Sequence, residues 1–147
     1  PYAFASHFAP RQALQAIDIY RNSFRPSEAL DRPYVTIGVP LIAAPTDEEA
    51  EYLASSNYQR VLGILTGNRR RLQPPVENFM AGLRSEERAA IGDFLAAAVV
   101  GGPERVHEGF SRLAELTQAD EFMLVSDIYD PELRLRALDI AAAAVAA

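Results

Sequence analysis

Three units recur along the chain, each a short apolar run, a turn and then apolar positions at helical spacing. The apolar runs are YAFASHF, YVTIGVPLIAA and EFMLVSDI. Strands that alternate with helices in this way are joined by crossovers, which predicts an α/β class with a parallel sheet. The first unit predicts a strand from Tyr2 to Phe8 and a helix opened by Pro10, with Ala13, Ile17, Tyr20 and Phe24 on one face. Arg25-Pro26 ends that helix, because a proline disfavours a helical residue before it. The second strand runs from Tyr34 to about Ala43, with Val35, Ile37, Val39 and Leu41 on one face. Pro40 has no N–H to give to a ladder, so a bulge or an early strand end is expected there.

Thr46-Asp47-Glu48-Glu49 has the form of a capping box, and its acidic residues suit the positive end of a helix that runs to about Thr66, with Gly67 as the stop. Between about 68 and 98 the periodicity breaks: three arginines, Gln73-Pro74-Pro75, then a shorter helix near Ser85. This stretch reads as a lid-like insertion within one partial barrel domain covering 1–147. The third unit opens with Gly102-Pro103-Glu104, a proline suited to a first helical turn, and carries Val106, Phe110 and Leu113 as a buried stripe. It leads into a strand from Phe122 to Ser126. Asp130-Pro131 then caps a last helix whose expected core face is Leu135, Leu138, Ala142 and Val145.

Composition narrows the function classes. With 49% hydrophobic and 23% charged residues, the 147-residue chain is globular in type and long enough to bury a core. A net charge of -6 argues against a basic grip on nucleic acid. There is no cysteine, which removes disulfides and zinc-thiolate sites, and the two histidines lie too far apart for metal-ligand spacing. No apolar stretch is long enough to span a bilayer, and a cytoplasmic setting is the default expectation. A strand-like run directly after Pro1 suggests that upstream sequence belongs to the natural chain.

Strand and helix units in this order, with a long excursion between the second and third, suit the closing part of a TIM (β/α)8 barrel, which needs about 250 residues in full. YAFASHFAP, YVTIGVPLIAAPTDEEA, GGPERVHEGFSRL and DEFMLVSDIYDPELRLRALDIAA resemble the C-terminal portion of the bacterial luciferase-like, flavin-dependent monooxygenases. The resemblance implies that the strands here are the sixth to eighth of the barrel. It also implies reduced FMN at the barrel mouth, O2 and a small organic substrate such as an aldehyde. A flavin reductase would be the electron source, and the assembly a homo-oligomer. The family's usual catalytic histidine and phosphate-binding loop lie on earlier strands, so no residue here inherits those roles.

Barrel enzymes place their chemistry at the C-terminal ends of strands. Ser6, His7 and Phe8 occupy that end of the first strand, and the His7 imidazole suits hydrogen bonding to a flavin or a proton relay near neutral pH. Its competing reading is a histidine bonded to a neighbouring loop. Ser126 and Asp127 hold the equivalent end of the last strand, where Asp127 either lines the pocket or organises the turn before Asp130. Arg69, Arg70 and Arg71 either face an anionic ligand under a lid or offset a helix C-terminus. His107 is expected at the surface. A different class of function is also open: three strands leave open edges and an uncovered face, so the chain alone is expected to be inactive and to self-associate as a partial barrel.

Overall fold

The computed structural model describes residues 1–7 and 9–146. Four parallel strands, β1 (Tyr2–Phe4), β2 (Val35–Ala43), β3 (Val99–Gly101) and β4 (Glu121–Val125), form one sheet. Five helices accompany them: α1 (Ala13–Ser23), α2 (Asp47–Leu65), α3 (Ser85–Phe94), α4 (Pro103–Thr117) and α5 (Pro131–Ala146). None is long and apolar enough to cross a membrane.

The sheet is organised around β2, which pairs with every other strand and is buried along its whole length. Its first residues lie beside β1, Thr36 to Pro40 lie beside β4, and Leu41 to Ala43 lie beside β3. The strand does not bulge or stop at Pro40, contrary to expectation. Backbone groups point alternately to the two edges of a strand. Tyr34 O accepts from Tyr2 of β1, whereas the N–H and carbonyl of Val35 both bond to Asp120 beside β4. By this alternation the Pro40 nitrogen faces the β1 edge, where pairing with β1 has already ended at Ile37. No donor is missed.

One face of the sheet is packed and the other is open. Ile37 and Val39 are level with Phe122 and Leu124, and all four join the core with Ile17 of α1 and Ala137 of α5. Residues in register on neighbouring parallel strands share a face. Ala3, Glu121 and Met123 therefore share the opposite face with Thr36 and Gly38, and all three reach the surface, Met123 at 62% exposure.

Three expectations are corrected. The first strand is shorter, ending at Phe4 with Ser6 and His7 in a turn, and Phe8 lies outside the described residues. A fourth strand, β3, ends the insertion; at three residues it is too short to show an alternation in the sequence. The core face of α5 is Ala137, Ala141 and Ala144, while Leu135, Leu138, Ala142 and Val145 are exposed. Both stripes have helical spacing, and small side chains let α5 come close to α4 and β2.

The caps follow the sequence. Thr46 Oγ1 accepts from Glu49 N at 3.2 Å, and Asp130 Oδ1 accepts from Glu132 N and Leu133 N at 2.8 and 3.1 Å. The Glu49 carboxylate does not complete the box and instead pairs with Arg136 of α5. Gly67 ends α2 with φ of 73°, the left-handed conformation a helix stop uses. The insertion holds α3 and a 3-10 turn, Phe79–Gly82, against α2.

Candidate functional site

At the end of β1, the chain turns onto the open face of β2. Ser6 is buried, and its Oγ donates to the Gly38 carbonyl at 2.5 Å. The His7 ring lies directly over Gly38, so close that a Cβ on residue 38 would collide with the ring nitrogen Nδ1. Glycine at this position is required for the approach of the ring, not for a backbone conformation. Sequence reading placed Ser6 and His7 here but missed Gly38, because a glycine inside a strand signals a close approach without naming its partner.

At the end of β4, Asp127 is bound to α2. Its Oδ2 accepts from Asn57 Nδ2 at 2.8 Å and lies 2.7 Å from Arg60 Nη2. It does not organise the turn before Asp130, whose own side chain caps α5. Asn57 Oδ1 and Arg60 Nε, on the two side chains that hold this carboxylate, are buried with no partner among the described residues, and so is Ser126 Oγ of the preceding residue. Buried polar atoms are nearly always satisfied, so such a group is a place where a ligand or ordered water belongs. The signal in the sequence is the run Ser55-Ser56-Asn57, polar residues that are buried on α2.

The two groups flank β2 from opposite edges, since β1 and β4 pair with it over overlapping residues. At the end of β3, Asp47 Oδ1 accepts from Gly102 N at 2.8 Å, and Asp47 Oδ2 lies 3.0 Å from Arg105 Nε. That backbone donor is therefore already occupied by a carboxylate of the chain itself.

Arg69, Arg70 and Arg71 are exposed after α2 and border clefts that Arg60 also lines. They join the Asp127 group through Arg60, whereas Ser6 and His7 form a separate group. His107 is at the surface, with Nδ1 2.7 Å from Ala144 O near the end of α5, so that nitrogen carries the proton. No group of His, Cys, Asp and Glu among the described residues is arranged to hold a metal ion.

No family model matches the chain. It is 34% identical over 141 residues to a luciferase-like monooxygenase of Escherichia coli, covering 96% of this chain and 42% of that protein. The chain is thus similar to part of a luciferase-like monooxygenase. The uncharacterized Bacillus subtilis protein YvbT is similar too, 42% identical over 142 residues that make up 97% of this chain and 42% of YvbT. The crystal structure of apo-MsnO8 superposes with a TM-score of 0.78 at 27% identity, over 99% of this chain and 45% of that one. The chain spans less than half the length of these proteins.

Proposed function

We propose that this chain forms the C-terminal part of an FMN-dependent, luciferase-like monooxygenase, with β1, β2 and β4 as strands six to eight of a TIM barrel and the insertion as a lid. The observation that carries the reading is the one-sided sheet. Helices cover the face bearing Ile37 and Val39, while on the opposite face Ala3 of β1 and Glu121 and Met123 of β4 reach the surface, as the lumen side of an incomplete barrel would. Relatives more than twice as long supply room for the remaining strands.

The residues present fit a flavin. Asn57 Oδ1 and Ser126 Oγ are buried hydrogen-bonding atoms in need of a partner at a strand mouth. Reduced FMN, when bound, supplies the electrons that activate dioxygen. Ser6 holds the turn after β1 against β2, His7 lines one wall beside it, and Ser126 and Asn57 offer hydrogen bonds to a ring edge. His7 is placed to hold or pass a proton. The substrate is a small organic molecule such as an aldehyde, and a separate flavin reductase renews the reduced cofactor.

The test is product formation from reduced FMN, O2 and a medium-chain aldehyde by the natural protein that carries these strands. Aldehyde oxidation that depends on the protein and falls in His7→Ala is expected. Flavin reoxidation at the rate seen without protein, with no product, would overturn the reading.

The exposed Met123 on the open face favours a second reading for the chain on its own: a non-catalytic partial barrel that self-associates to cover that face.

A further inference from the structure

Two adjoining clefts between α2 and the insertion share Arg60 and Arg70. One, of about 240 Å³, presents Gln59, Arg60, Asn68, Arg70 and Arg71 as polar groups. The other, of about 430 Å³, is formed by Arg60, Arg69 and Arg70 with Ile64 and Phe94. Neither is lined by an aspartate or glutamate, although acidic residues outnumber basic ones 20 to 14 in the chain.

The charge is not consumed elsewhere. Asp127 offsets Arg60, but Arg69, Arg70 and Arg71 enter no ion pair among the described residues. Nor do they cap α2: Leu62 O accepts from Thr66 N and Thr66 Oγ1, and Ile64 O accepts from Gly67 N. The carbonyls of Leu62 and Ile64 are thus met by the backbone and a threonine. Guanidinium groups gathered without counter-charge repel one another, and an oxyanion in the cleft relieves this through paired N–H donation that lysine does not match. Leu62, Ile64, Phe79 and Phe94 give the same clefts apolar walls.

We propose that these clefts form a binding site for a phosphate or carboxylate group attached to an apolar body. This inference uses only residues of α2, α3 and the insertion and does not depend on the flavin reading. The probes are inorganic phosphate and phenyl phosphate, titrated calorimetrically into the chain at constant ionic strength. Saturable binding is expected, tighter for phenyl phosphate, and weakened about tenfold or more when Arg70→Gln and Arg71→Gln are combined. Arg32→Gln, at an exposed arginine elsewhere, is expected to leave it unchanged.

Competition identifies the source of the anion. Displacement of phosphate by FMN but not riboflavin supports the site and assigns it to the cofactor's phosphate. Displacement by phenyl phosphate but not FMN supports the site and assigns it to a separate small molecule. Absence of saturable phosphate binding, or equal affinity in the double variant, would overturn the proposal.

Discussion

The Arg60 guanidinium stands 2.7 Å from the Asp127 carboxylate, joining the second half of α2 to the residues just past the end of β4. Asn57, one turn earlier on α2, donates to the same carboxylate oxygen. Asp127→Ala removes both bonds and leaves a half-buried guanidinium unpaired. A loss of about 1–3 kcal/mol is expected, read as a lower urea midpoint with an unchanged slope. An unchanged midpoint would mean that α2 does not depend on this link.

Gly38→Ala tests the turn after β1. The added methyl meets the His7 ring, so the ring and the Ser6 hydrogen bond must shift together. A cost of about 1–3 kcal/mol, the usual range for overpacking, is expected, with moved His7 ring resonances in the NMR spectrum. Ring resonances at their original positions would contradict the packing described here.

Alkaline stability is set in part by Tyr58. Burial and then the Glu51 carboxylate raise its phenol above the ordinary value, and its hydroxyl donates to Glu51 Oε2 at 3.0 Å. The folded chain keeps this proton over a range in which the unfolded chain releases it. The contribution is therefore complete below about pH 10, the ordinary phenol value, and is lost as pH rises toward the folded-state value. Tyr58→Phe should lower stability at neutral pH but flatten its decline above about pH 10 in urea titrations. An equally steep alkaline decline in the variant would assign that loss to other groups.

Met123 lies on the open face of β4, level with Gly38. If the face is covered by a second copy when the chain is alone, sedimentation will show a mass above that of the 16.1 kDa monomer. Met123→Glu should shift the distribution toward monomer. A wild-type chain that sediments as monomer would remove the self-association reading.

The parts of the fold legible in the sequence were those governed by local physics. Thr46 and Asp130 act as helix caps, and Val106, Phe110 and Leu113 are buried along α4, because each rule depends on residues within a few positions. The α5 core face was misread because Leu135 and Leu138 outweigh alanines on any hydrophobicity scale, whereas close helix packing favoured Ala137, Ala141 and Ala144. Ser6, His7, Ser126 and Asp127 follow the ends of β1 and β4, although the apolar pattern alone runs the first strand past Phe4, where the structure ends it. Asn57 and Arg60 could not be placed, since their meeting with Asp127 spans about 70 positions and depends on how α2 crosses the sheet.

The central claim is that the open face of this sheet is one wall of a reduced-flavin site. An anaerobic titration of reduced FMN into the natural protein carrying these strands, followed by flavin fluorescence for wild type and His7→Ala, tests it most directly. The account predicts saturable binding of the reduced cofactor with clearly weaker affinity in the variant. Fluorescence that rises linearly with added flavin, with no saturation in either protein, would contradict it.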